Sequence, residues 1–455
     1  MVIILDDTIA AISTALGVGA ISIIRVSGKE ALEIVNKVTK SKKIKSYDSH
    51  TIHYDHIVEG KNIIDEVLIS IMLAPKTFTK EDVIEINCHG GIATTNKVLE
   101  LLLSNGCRLA EPGEFTKRAF LNGRIDLIEA EGIMDLINSK TEVYRKLAMN
   151  QVNGNISKLI KNLRQKILEI LANINVNIDY PEYEDIEEYT IDKLKTTIIE
   201  VEEEVIKIIN KSENSQLIKE GINVALIGKP NVGKSSLLNC LLETEKAIVT
   251  DIEGTTRDCV EGTIIIDGIM VNLIDTAGIR ETKDIVENIG VNKSLELIDK
   301  ANLVLFLLNN NQEISASELD LLNKIKNRNY LIIINKSDLE SKIDLTNFDS
   351  DKIVRISALN NEGIDILKNK IKQIFNIDKI ETDDLSYLSN ARVLSLLNKC
   401  IELVKEIKLA IDNNIPIDIL EIDLRNLWET LGKITGETYE DELIDQLFSQ
   451  FCLGK

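Results

Sequence analysis

Apolar and polar positions follow three successive patterns along the chain. Over residues 1–118, short β-rich runs such as 21–24 and 83–86 alternate with helical spacing at 31–38 and 97–103, an α+β arrangement. From about residue 115 the apolar positions recur at helical intervals, as in Ile156, Leu159, Ile160, Leu163, Ile167, Leu168, Ile170 and Leu171, which predicts long amphipathic helices. Asp179, Glu182, Glu184, Asp185, Glu187 and Glu188 cluster around Pro181, a composition that suits a solvated hinge or a helix start. At Gly221 the texture changes again. The segments 222–227, 270–274, 303–308, 331–334 and 353–356 are apolar throughout and separated by helical stretches, the signature of a buried parallel sheet with helices on both faces. Helical spacing resumes after about residue 377. Helical material on both sides of the sheet region predicts one helical domain, 119–218 with 380–455, into which an α/β domain, 219–379, is inserted. Two separate helical domains are the alternative.

Composition narrows the classes. The 455 residues include 53 Lys and Arg against 73 Asp and Glu, a formal net charge of −20, with 44% hydrophobic and 28% charged positions. A chain with that apolar fraction is folded, and its length suits about three domains. Bulk negative charge repels phosphate backbones, so nucleic acid is not bound by net charge, although a local basic patch remains able to dock one. The six cysteines stand singly with no CxxC pair, which excludes a structural zinc site and fits reduced thiols in the cytoplasm. The longest uncharged run, 8–24, contains Gly17 and Gly19 and follows acidic Asp6 and Asp7; it reads as strand, turn and strand, and no membrane association or lipid anchor is expected.

The chemistry is legible in the third region. Strand 222–227 runs into Gly228, Lys229, Pro230, Asn231, Val232, Gly233, Lys234, Ser235 and Ser236, a GxxxxGK[ST] loop opening a helix. There the backbone N–H groups and helix N-terminus face phosphates, Lys234 bridges the β- and γ-phosphates, and the Ser235 hydroxyl ligates Mg²⁺. Asp275, Thr276, Ala277 and Gly278 end the next apolar strand and point a carboxylate to the Mg²⁺ shell and an N–H to the γ-phosphate. Asn335, Lys336, Ser337 and Asp338 follow strand 331–334. The Asp338 carboxylate accepts two hydrogen bonds from a guanine edge, which adenine lacks. Ser357, Ala358 and Leu359 supply backbone N–H groups to the guanine oxygen. The loop Thr250, Asp251, Ile252, Glu253, Gly254, Thr255, Thr256, Arg257 and Asp258 occupies the place of a switch, with Thr256 completing the Mg²⁺ shell. Arg257 is either an arginine finger or a surface charge. Ile279 stands where many GTPases place a water-orienting Gln, so another residue must aim the water. The reading is a GTP/GDP-binding GTPase.

The stretches GKPNVGKSS at 228–236, GTTRD at 254–258, DTIAA at 7–11, HGG at 89–91, PGEFTKRAFLNGRIDL at 112–127 and the terminal FCLGK at 451–455 together closely resemble the MnmE (TrmE) family of tRNA-modification GTPases over essentially the whole chain. The resemblance implies a homodimer that forms a heterotetramer with the FAD protein MnmG, so that FAD enters only through the partner. It implies modification of C5 of the wobble uridine, position 34, of certain tRNAs by an aminomethyl or carboxymethylaminomethyl group, with 5-formyl- or methylene-tetrahydrofolate as one-carbon source. By motif match, K⁺ would be held by Asn231, Thr250, Ile252 and Thr255, and the water oriented by Glu287. Arg25, Glu85, Arg124 and Lys455 would bind the folate, with Arg124 standing where the family often has Lys. Cys452 matches a C-terminal Cys of the family and is either catalytic or a buried small hydrophobe. The competing class is a regulatory GTP switch of the ribosome-assembly type with non-catalytic flanking domains. The run Lys37, Lys40, Lys42, Lys43 and Lys45 reads as a solvated loop ahead of a tRNA contact.

Overall fold

The computed structural model describes residues 7–179, 184–244, 260–275, 301–346, 348–375, 377, 390–439, 441–451, 453 and 454. They form two compact units. One draws on residues 1–134, 151–202 and 396–455, the other on 135–150 and 203–395.

The first unit opens with a six-stranded sheet made of β1 (Ile9–Ile12), β2 (Ile21–Ser27), β3 (Thr51–Glu59), β4 (Asn62–Met72), β5 (Val83–His89) and β6 (Arg108–Leu109), in the order β3-β4-β5-β2-β1-β6. Neighbours are antiparallel except for β1 with β6. Period-two alternation gives the sheet one apolar face. On it Val26, Ile69, Ile71, Ile84 and Ile86 pack with α1 (Ala31–Val38) and α2 (Ile92–Ser104). The opposite face carries the rows Tyr54, Leu68, Asn87, Ile23 and Ile52, Ser70, Glu85, Arg25, each residue paired with the next across β3, β4, β5 and β2. Ile52 and Tyr54 are 66% and 58% exposed. At the β1 end this face is closed by Ala110, Phe115 and Phe78 against Ile9 and Ala11.

Helices follow along the chain: α3 (Glu114–Leu121), α4 (Leu127–Asn138), α5 (Glu142–Val152), α6 (Asn155–Asp179) and α7 (Glu184–Glu220), of which most of α5 and the second half of α7 belong to the second unit. Of the stripe expected on α6, Ile156, Ile160, Leu163, Ile167, Ile170 and Leu171 are buried together with Ile174, whereas Leu159 is half-buried and Leu168 is exposed. α6 packs along a helix from the far end of the chain, Ile417–Thr435, whose Leu420, Leu424, Leu427 and Leu431 are likewise buried. That pairing joins helical segments from the two sides of the inserted sheet region. The last helix, Asp441–Ser449, sets Ile444 and Phe448, followed by Phe451, against Phe120, Leu127 and Ala130 of α3 and α4. Burial pushes the thiols of Cys88, Cys107 and Cys400 up to about 12, which suits inert, reduced cysteines.

In the second unit β7 (Ile222–Ile227), β8 (Val260–Ile266), β9 (Ile269–Asp275), β10 (Leu303–Asn309), β11 (Tyr330–Asn335) and β12 (Ile353–Arg355) form a sheet in the order β12-β11-β10-β7-β9-β8. Five strands are parallel, as the continuous apolar runs predict. The edge strand β8 is antiparallel to β9 and was not anticipated; Asp267 and Gly268, both at positive φ, close the hairpin. Alternate residues of β10 serve opposite faces. Leu305 and Leu307 join α8 (Lys234–Thr244) and a helix at Ile364–Ile374, whereas Val304, Phe306 and Leu308 meet α9 (Ala316–Ile325).

Candidate functional site: a guanine-nucleotide cradle and an arginine–glutamate cleft

Gly233 ends the loop after β7 with φ at +98°, and a Cβ there would lie 2.2 Å from Asn335 Nδ2, so only glycine fits. The α8 helix starts at the next residue, Lys234. Its first N–H groups therefore have no helical partner and face the loop. Lys234 is 8% exposed, and its Nζ donates to the Gly228 and Lys229 carbonyls at 2.8 and 3.0 Å. Lys229 is pinned in turn, with Nζ 3.1 Å from Glu318 Oε2 at the start of α9. Glu318 also accepts from Ser315 N at 2.9 Å. Burial alone would raise the Glu318 carboxyl, but the bonds from Ser315 and Lys229 bring it below its ordinary value. Asn231 adopts a left-handed backbone, φ 63°, with an exposed side chain.

Asn335 ties this loop to the base-reading segments. Its buried amide donates to Val232 O at 2.8 Å and accepts from Ala358 N at 3.1 Å. Lys336 Nζ reaches Asn231 O at 3.1 Å. Ser357 donates to Asp338 Oδ1 at 2.6 Å, and Ser357 and Glu362 exchange backbone hydrogen bonds that close the loop between them. The result is a cavity of about 790 Å³ lined by Gly233, Ser236, Asn239, Cys240, Glu243, Asn335, Lys336, Asp338, Leu339, Ala358, Leu359 and Asn361. Of these, Asn239, Cys240, Glu243, Leu339 and Asn361 were not singled out from sequence as part of the site. Cys240 Sγ donates to Asn361 Oδ1 at 3.1 Å, a link between α8 and the last loop that no motif announces. Asp275 ends β9. Thr250 to Thr256, Thr276, Ala277, Gly278, Ile279 and Glu287 lie outside the described residues.

The second cluster lies in the first unit. Arg25 and Glu85 are direct cross-strand neighbours, and Arg25 Nε and Nη2 both donate to Glu85 Oε1, at 2.9 and 2.8 Å. Their side chains are 18% and 23% exposed, at the border between the covered and open parts of the sheet face. The Phe78 ring meets two cations, 5.9 Å from the Arg25 guanidinium and 4.8 Å from that of Arg124, which also donates to Phe78 O at 3.0 Å. The C-terminus completes the cluster. Gly454 O accepts from Ser13 Oγ at 3.0 Å and from Arg25 Nη1 at 3.3 Å. Gly454 sits at φ +83°, where a Cβ would stand 2.3 Å from Ile12 O. Arg25, Glu85 and Arg124 are thus together, with the tail beside them; Cys452 and Lys455 lie outside the described residues.

The Phe78 loop is held from behind. Arg118 is fully buried and donates to Glu81 Oε1 at 3.2 Å, Asp7 Oδ1 at 2.7 Å and Glu114 Oε1 at 2.9 Å. Glu81 accepts from Ser27 Oγ at 2.7 Å, and Asn122 donates to Thr79 O at 2.7 Å. Burial would raise the Asp7 and Glu114 carboxyls, but hydrogen bonds from Arg108 and Arg118 outweigh it and hold both below their ordinary values.

A GxxxxGK[ST] loop tied through Asn335 to the loops that carry Asp338 and Ala358, on a mainly parallel sheet, defines a P-loop GTPase, here with an α+β region and a helical region in the same chain. The family model "GTP-binding protein TrmE N-terminus" matches residues 8–124 and "MnmE helical domain" matches 127–452. The tRNA modification GTPase MnmE of Bacillus cytotoxicus is 52% identical over 455 residues, and that of Lactococcus lactis 51% over 449, covering 99% of this chain and 99% and 98% of theirs. Among solved structures, the G domain of the T. maritima FeoB iron transporter is 28% identical, covering 33% of this chain and 97% of that one with a TM-score of 0.26. The chain belongs to the MnmE family of tRNA modification GTPases. No described helix is long and apolar enough to cross a membrane.

Proposed function

We propose that GTP hydrolysis by this chain, working with the flavoprotein MnmG in the cytoplasm, drives addition of an aminomethyl or carboxymethylaminomethyl group to C5 of the wobble uridine of tRNA, with a tetrahydrofolate derivative bound at Arg25, Glu85 and Arg124. The observation that carries this reading is the convergence of Arg25, Glu85, Arg124 and Phe78 beside the C-terminal tail. The donor set fits a folate. Glu85 offers an acceptor to the amide and amino edge of a pterin, the two guanidiniums meet carbonyl or carboxylate oxygens, and Phe78 gives the cleft a flat apolar wall. Bound there, the folate would supply the one-carbon unit; Lys455 would add a cation to the same cleft, and Cys452 would take a catalytic part.

For hydrolysis, Lys234 exchanges its two backbone carbonyls for β- and γ-phosphate oxygens, and Ser235, Thr256 and Asp275 suit the Mg²⁺ shell. A monovalent cation beside the β,γ-bridge would offset charge on the leaving phosphate. Asn231, with its exposed amide on a left-handed backbone, suits K⁺ together with Thr250, Ile252 and Thr255. Glu287 orients the water in place of Ile279. On this account GTP turnover is faster in potassium than in matched sodium buffer. The exposed apolar side chains of Ile52, Tyr54 and Leu68 on the open sheet face suit burial against a second copy of the chain in a homodimer.

The functional test is nucleoside analysis of tRNA from cells lacking the protein. The reading expects unmodified wobble uridine, and full modification in such cells would overturn it in favour of a regulatory switch. For the cleft, Arg25→Ala should weaken calorimetric binding of 5-formyltetrahydrofolate by roughly 10- to 100-fold, the loss of one or two charged hydrogen bonds, with GTP turnover unchanged. Unaltered folate affinity would remove the assignment.

A further inference from the structure

We propose that the end of α1 and the loop that follows it, residues 37–45, form the surface on which this chain receives the phosphate backbone of an RNA. The assignment rests on the tRNA reading above and adds the place of contact. Five of these nine residues are lysine and none is acidic, in a chain whose net charge is −20. A solvated loop was the reading from sequence; the structure adds that the loop is held in shape and its charge turned outward.

The holding comes from beneath. Ile44 is fully buried in the core between the sheet and its helices, and its N–H donates to Asn36 Oδ1 at 3.0 Å. Asp55, 5% exposed, accepts from Ser41 N at 3.2 Å and from Ser41 Oγ at 2.5 Å, and Lys40 N donates to His56 O at 2.9 Å. The nearby carboxylate of Asp55 is therefore spent on the loop's own polar groups. Lys37, Lys40, Lys42, Lys43 and Lys45 are all exposed. Among the described residues these lysines make one ion pair, Lys45 with Glu33 at 3.1 Å; Lys42 Nζ donates to the Lys37 carbonyl, a neutral partner that leaves its charge uncompensated. A backbone already ordered loses little entropy on binding, and unpaired ammonium groups release counterions from a polyanion. The two apolar side chains of the stretch, Val38 and Ile44, are buried, so nothing is offered to a lipid interior. This favours a strand of phosphates over a membrane. Ile44 places the loop on the helix-covered side of the sheet, so a second copy seated on the open face leaves it free.

The test compares the full-length chain with the variant Lys40→Gln/Lys42→Gln/Lys43→Gln. Binding to an unmodified tRNA transcript is followed by fluorescence anisotropy at several KCl concentrations. At roughly 0.7–0.9 per phosphate contact, three lysines should lower the slope of log K against log salt by about 2–3, and affinity near 0.1 M salt by at least about tenfold. GTP turnover should not change, and Lys40→Arg/Lys42→Arg/Lys43→Arg should keep the parent slope. Wild-type binding to tRNA with the same slope and affinity in the Gln variant would overturn the surface while leaving the function standing. No salt-dependent tRNA binding by the wild type, alone or with MnmG, would strike the tRNA reading and this surface with it. Loss of binding to phosphatidylserine vesicles in the Gln variant, with tRNA binding intact, would also overturn the proposal.

Discussion

Asp338→Asn should cost GTP about 3–4 kcal/mol of binding, two to three powers of ten in affinity, and give the chain a new preference for xanthosine triphosphate. The carboxylate would accept from the guanine N1–H and 2-amino group, two charge-assisted bonds. An amide keeps the first as a neutral bond and sets its NH₂ against the 2-amino group. Xanthine carries a carbonyl in place of that amine, so the same amide donates where the guanine clashed. The substitution is isosteric, and its oxygen can still accept from Ser357 Oγ, which holds Asp338 at 2.6 Å. The cavity wall is otherwise untouched, and Asn335 keeps its bonds to Val232 O and Ala358 N. Competition of GTP and xanthosine triphosphate for a fluorescent guanine nucleotide reads the exchange directly. A variant that keeps its GTP affinity shows that Asp338 does not read the base.

The second large effect concerns stability. Arg118→Leu should destabilise the first unit by roughly 3–5 kcal/mol at neutral pH, because it leaves Glu81, Asp7 and Glu114 without the buried cation they share. The pH dependence has a definite sign. In the parent protein the Asp7 and Glu114 carboxyls titrate below their ordinary values, so their contribution is fully present above the unfolded carboxyl range near about 4 and is lost as pH falls through the folded values. In the variant, burial of Glu114 is opposed only by Arg108 and the Glu111 N–H, so protonation relieves the strain. The gap in melting temperature between parent and variant should be widest at neutral pH and narrow on acidification through the carboxylate range. Differential scanning calorimetry across that range checks it; a gap independent of pH would show that lost packing, not the carboxylate cluster, is what the arginine supplies.

The two sites were not equally legible in the sequence, and the reason is physical. The nucleotide cradle is built from loops that each follow a strand, so local spacing reveals them. Glycine at 233 answers a local need, a backbone at φ +98°, and Asp338 stands at a fixed short distance after strand β11. Strand β8 was readable in principle from Asp267–Gly268 between two apolar runs, but Glu261, Gly262 and Thr263 interrupt the apolar pattern that marks the buried strands. The cleft at Arg25 is different. Gly454 and Ser13 touch across 441 positions, and Arg25 meets Glu85 only because β2 and β5 pair in one register; no spacing within the sequence encodes either contact, and only the family resemblance pointed there. Phe78 gave no signal at all, since its place depends on Arg118 and Asn122 gripping the loop around it. Cys240 looked like an isolated thiol until α8 brought it against Asn361.

Everything proposed for the second unit requires that guanine be read at the cavity between the phosphate loop and Asp338. Calorimetric titration of the full-length chain in magnesium buffer with GDP, and separately with ADP, tests it. GDP should bind in a single saturable step, at least ~100-fold more tightly than ADP, since a site built to hydrogen-bond one base edge leaves its carboxylate unpaired with the other. Equal affinity for both nucleotides, or none for GDP, would contradict the account.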